Sequence, residues 1–169
     1  NLIQKAGISR ASFYLYFEDK EDLLGCIAES WVDVILRKLT EAFRVSDGSY
    51  YEGMKLWMSQ ALENDISREV WKVYKRVMEE EDFTRKSKMG ALQFKASPKW
   101  RQVIEECYGH MDQSRYPGLT PEKLAYAVDM GLLAMIQLSM RYVEQYAPLA
   151  ELKEAAWHQL TILDKGIRE

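Results

Sequence analysis

The sequence predicts an all-α protein, with part of a helix-turn-helix at its amino end and a larger helical domain behind it. Two observations carry this. Apolar residues recur at three- and four-residue intervals along most of the chain, the spacing that lines one face of a helix. Helix-start devices punctuate the pattern: Ser49 with Glu52, Ser67, Ser97-Pro98 and Thr120-Pro121. The 169 residues suffice for one core-forming domain and a small appendage. The division read from them is 1–22 for the helix-turn-helix part and 23–169 for the helical domain. A net charge of −3 has the wrong sign for a protein whose whole surface binds nucleic acid, yet allows a local basic patch.

The first element is the most specific. Gly7 can take the positive φ that ends a helix in a sharp turn. Ile8 is the apolar residue that tucks under such a turn, and Ser9 is a good N-cap for the next helix. That helix is short, ending by about Phe17, and Phe13 and Phe17, four apart, share a face that should bury. Arg10, Ala11, Ser12, Tyr14 and Tyr16 are left facing outward. A forked cation, small residues and two phenols form the mixture that suits a major groove.

The stretch resembles the DNA-binding signature of the TetR family of bacterial transcriptional regulators, matching it at Ala6, Gly7, Ser9, Phe13, Tyr14, Tyr16, Phe17, Lys20 and Leu23. The match spans residues 6–23 of 169. The resemblance implies an all-helical homodimer that binds double-stranded operator DNA and releases it when a small molecule occupies the larger domain. It places DNA contacts at Ser9, Arg10, Ala11, Ser12, Tyr14 and Tyr16, with Lys20 gripping a phosphate. The family sets a whole helix and half of the next before this point, so the residues from Asn1 onward are expected to form only the later part of the motif.

Asp19 then caps a long helix, with Asp22 completing a box-like start. Lys20 in its first turn opposes the helix dipole, which points to a role outside the helix. The apolar stripe runs through Leu24, Ile27, Trp31, Val34, Ile35, Leu39, Ala42 and Phe43, and Ser46-Asp47-Gly48 closes it. Ser49 and Glu52 open a helix with Met54, Trp57, Met58, Ala61 and Leu62 inward. Ser67 caps another, carrying Val70, Trp71, Tyr74, Val77 and Met78. Thr84 to Ala96 mixes basic and apolar residues and reads as a short amphipathic helix, a mobile loop or a second nucleic-acid patch. Ser97-Pro98 starts a helix through Trp100, Val103, Ile104, Cys107, Tyr108 and Met111, which Tyr116-Pro117-Gly118 ends.

The helix from Pro121 to about Tyr146 is apolar nearly all round, so it needs a partner on two sides. Pro148 starts the last helix, where Leu149, Leu152, Ala156, Leu160, Leu163 and Ile167 make a seam. Small residues at Ala127, Gly131 and Ala134 permit close helix approach. The expected outcome is a homodimer through helices 121–146 and 149–166, packed as a four-helix bundle. The alternative is that both helices fill one monomer's core.

Candidate chemistry is sparse. Glu106 and His110, four apart, are a weak metal pair, and the doubled Glu-x-x-His of di-metal bundles is missing. No phosphate-cradling glycine loop and no nucleophile motif occurs, so neither catalysis nor a cofactor is expected. Trp57, Trp71, Tyr74, Met78, Trp100, Tyr108 and Met111 read either as plain core or as the wall of an apolar effector pocket, with Asp129 to orient a ligand. Cys26 and Cys107 fit no disulfide or metal spacing and are expected to be buried, which suits a reducing cytoplasm. The longest unbroken apolar run, Met130 to Ile136, is far short of a membrane span. The functional expectation is a ligand-responsive, DNA-binding transcriptional regulator, most simply a repressor. Its rivals are an all-helical metal-binding or enzymatic bundle, and a helical ligand-binding adaptor without DNA binding.

Overall fold

A computed structural model describes residues 7, 9–62, 97–144 and 147–169. The described residues are mostly helical and contain no strand. The helices are α1 (Arg10–Tyr14), α2 (Lys20–Arg44), α3 (Tyr50–Gln60), α4 (Pro98–Gly109), α5 (Pro121–Glu144) and α6 (Leu149–Arg168). The helix expected from Ser67, with Trp71, Tyr74 and Met78, and the Thr84 to Ala96 stretch lie outside the described residues.

The helix starts obey local chemistry. Ser9, Ser49 and Ser97 each accept a hydrogen bond from the backbone N–H three residues on. Thr120 does the same for the Lys123 N–H at the head of α5. Asp19 accepts from the Asp22 N–H at 2.8 Å, and Asp22 reaches back to the Glu18 N–H at 3.0 Å. At α3 only the serine half of the expected box forms. The Ser49 N–H already donates to the Ser46 carbonyl, so Glu52 has no amide to take and pairs loosely with Lys55. Between α2 and α3 the chain reverses on two consecutive left-handed residues, Asp47 (φ 52°) and Gly48 (φ 72°).

One apolar core joins α2 to α6. Leu36, Leu39 and Phe43 of α2 pack with Met54, Trp57 and Met58 of α3, and Trp100, Ile104 and Cys107 of α4 complete that side. α5 and α6 pack along each other and onto α3. Gly131 is a close-approach position, but within the chain: a Cβ there would overlap the terminal methyl of Met54.

Several expectations need correction. α1 ends at Tyr14 and Phe17 is only half-buried, because the chain turns at Leu15-Tyr16. On α2 the core-facing residue is Leu36, whereas Val34 and Ile35 stay exposed. Three apolar residues in a row leave the phase of a stripe open, and packing against α3 and α4 decides it. Cys26 is exposed, since among the described side chains of α2 none before Leu36 is fully buried. The α6 seam does not face outward: Leu152, Ala156, Leu160 and Ile167 are buried in their own chain, and Leu149 and Leu163 are half-buried. The outward apolar row belongs to α5, where Tyr126, Met130, Leu133 and Met140 remain exposed. By length and composition Pro121–Tyr142 also suffices to cross a membrane, with 39% of its apolar window buried against the protein.

Candidate functional site

α1 is built from Phe13 upward. Its ring is 8% exposed and lies edge-on to Tyr14 at 5.3 Å and tilted against Phe17 at 5.4 Å. With that ring turned under, the rest of α1 turns out: Arg10, Ala11 and Ser12 are exposed, Tyr14 is 55% exposed and Tyr16 is 79% exposed. Leu15 is equally exposed, an apolar residue absent from the expected contact set. Ser9 and Ser12 share a hydroxyl–hydroxyl hydrogen bond of 2.8 Å while Ser9 caps the helix. Lys20 is exposed as the first residue of α2. Glu18, Asp19 and Asp22 surround it, and these carboxylates suit the positive end of the α2 dipole. Sequence reading thus placed the seven front residues on one exposed stretch of chain.

The expected effector residues divide. Trp57, Trp100 and Met111 are buried and Tyr108 is half-buried, all in the same apolar cluster. The Trp57 indole N–H donates to the Ile35 carbonyl at 3.3 Å, tying α3 to the middle of α2. The Tyr108 hydroxyl donates to the Leu119 carbonyl at 3.3 Å. Asp129 is half-buried on α5. Trp71, Tyr74 and Met78 lie outside the described residues. Among the described residues no group of three or more side chains could hold a metal; Glu106 is exposed and His110 half-buried.

A solvent-open groove of about 580 Å³ runs between α2 and α4, lined by none of the expected effector residues. Its floor is Val34, Leu36 and Val103. Along α2 its rim alternates in sign through Asp33, Arg37, Glu41 and Arg44; α4 supplies Lys99 and Glu106. Lys99 pairs with Asp33 across the groove, and Arg44 pairs with Glu41 along α2. The Arg44 hydrogen bonds hold the Glu41 carboxyl below its ordinary value. Thr40 meets the Cys107 thiol, whose burial pushes its pKa up to about 12. Asp33 opposite Lys99 and Thr40 opposite Cys107 set α2 and α4 parallel and in register. Sequence reading missed this groove, although the alternating charges on one face of α2 were a visible signal.

A second missed feature is polar and buried. The Tyr116 hydroxyl accepts from the Tyr50 N–H at 3.0 Å and donates to Asp164 at 2.6 Å. Arg168 holds the other Asp164 oxygen and stacks over the Tyr116 ring. The Tyr50 hydroxyl donates to the Ala127 carbonyl of α5 at 2.7 Å. Burial is the main reason both phenols titrate above their ordinary range. This network joins α3, α5 and α6, and its chemistry is structural.

Comparison with protein-family models, curated proteins and solved structures gives no match.

Proposed function

We propose that the protein is a ligand-responsive transcriptional regulator of the TetR type, a repressor that leaves its operator when a small molecule binds the helical body. The observation that carries this reading is α1. Phe13 is buried beneath a helix whose Arg10, Ser12 and Tyr14 face solvent, with Tyr16 and Lys20 following at once. The Gly7 to Leu23 signature supports it. In this reading Arg10 reads a base edge, the hydroxyls and Lys20 hold phosphates, and two copies present two such helices.

The second copy is expected on α5. Tyr126, Met130, Leu133 and Met140 recur at four-, three- and seven-residue steps, an apolar row on the outside of the fold. A two-fold pairing of this row buries it and sets two recognition helices for half-sites about 34–36 Å apart. The effector acts by its difference in affinity between two dimer states; a hundredfold loss of operator affinity corresponds to about 2.7 kcal/mol.

The test is binding of the full chain to duplexes selected from a random pool, read by fluorescence anisotropy. Arg10→Ala is expected to relax preference at one base pair by about 1–3 kcal/mol. Lys20→Ala is expected to weaken all duplexes alike and to flatten the salt slope by about one unit. Selection of no duplex, or indifference to both substitutions, would sink the reading.

A further inference from the structure

The geometry points to the α2–α4 groove as a binding site for a small zwitterion, a molecule with a carboxylate and an ammonium joined by an apolar spacer. Of the six charges on the groove, four are spent on each other in the Asp33–Lys99 and Glu41–Arg44 pairs. The remaining two are Arg37 on α2 and Glu106 on α4, exposed and without an ion-pair partner among the described residues. The lining is therefore neutral overall and offers one guanidinium and one carboxylate on opposite walls. A polyanion or a simple cation is matched by only half of it.

The parallel register fixes their offset. Asp33 faces Lys99 and Thr40 faces Cys107, so Arg37 stands level with Val103 or Ile104, and Glu106 lies two to three residues further along. At 1.5 Å per residue that is about 3–5 Å along the groove; Val103 lines it at the Arg37 level, and Val34 and Leu36 line it on the Lys99 side. A ligand that bridges the two walls must carry its charges at least that far apart with methylenes between them. Gln102, Ser30 and Thr40 add neutral polar groups. A volume of about 580 Å³ holds a molecule of this size.

Occupancy of the groove is independent of DNA. Its consequence rests on the function proposed above: Arg37 belongs to the helix that leads to α1, so a ligand that draws Arg37 toward Glu106 shifts α2 against α4.

The experiment is a chemical-shift titration of the full chain with three probes of equal chain length: 6-aminohexanoate, hexanoate and hexylamine. The zwitterion is expected to bind roughly tenfold more tightly than either singly charged probe. Arg37→Gln is expected to erase its advantage over hexylamine, and Glu106→Gln its advantage over hexanoate. Both side chains are exposed, so the variants keep their fold, which their amide spectra verify. Equal affinities for the three probes, no binding, or an advantage that survives both substitutions overturns the site. Because no DNA is present, the result stands apart from whether an operator is found.

Discussion

Tyr116 is completely buried, yet its hydroxyl is doubly used, as acceptor for Tyr50 and donor to Asp164. Tyr116→Phe leaves a buried amide and a buried carboxylate oxygen short of a partner, each costing about 1–3 kcal/mol. Urea unfolding should therefore show a loss of about 2–4 kcal/mol; a loss below about 0.5 kcal/mol is incompatible with the network. In the sequence Tyr116 sits before Pro117-Gly118 and reads as a chain break. Its partners lie 66 and 48 positions away, and no local pattern announces a hydrogen bond at that separation. Phe13 is the opposite case: its ring contacts with Tyr14 and Phe17 lie within about one turn, so they were legible. The two thiols differ as sharply. Cys26 is exposed, while burial keeps Cys107 protonated far above neutral pH. A thiol reagent at pH 8 is expected to modify one cysteine per native chain and both after unfolding; two fast thiols in the native protein would contradict the packing of α4.

At the scale of elements, helix starts were readable because a cap and its amide are three residues apart. Which face of a helix turns inward was less so. Val34, Ile35 and Leu36 are adjacent on α2, and only contact with α3 and α4 selects Leu36. The α6 seam was legible as a seam, but periodicity does not say whose core it enters. The α2–α3 turn shows what a single element demands. A Cβ on Gly48 would sit 2.6 Å from the Asp112 Cβ and 2.8 Å from its backbone nitrogen, and Gly48 already holds φ 72°. The Asp112 N–H also donates to the Gly48 carbonyl, so neither side can retreat. Gly48→Ala is expected to cost about 2–4 kcal/mol, strain and overpacking together, measured by denaturant unfolding. A neutral effect would show that this turn has room to relax.

For the whole molecule, the composition of the core was legible, and of the candidate sites only the exposed stretch at the front was. The α2–α4 groove escaped because it is made of exposed charges from two separate helices. The exposed α5 row yields a direct test of assembly. Leu133→Glu places a charge in the middle of the row without touching the core, so sedimentation should show a monomer of unchanged helicity where the unaltered chain sediments as a dimer. An unaltered chain that is monomeric, or a Leu133→Glu dimer, would remove α5 as the contact.

Among the described side chains of α2 none before Leu36 is fully buried, and this has a mechanical consequence. From Lys20 to Leu36, the first fully buried one among these side chains, the helix runs about 24 Å. A rod of that length pivoting by about 5° carries its tip roughly 2 Å, more than half the rise of one base pair. Under the function proposed above, a slight tilt at the seat would be magnified into a misfit at the α1 end, with the amino-terminal length of α2 as the lever.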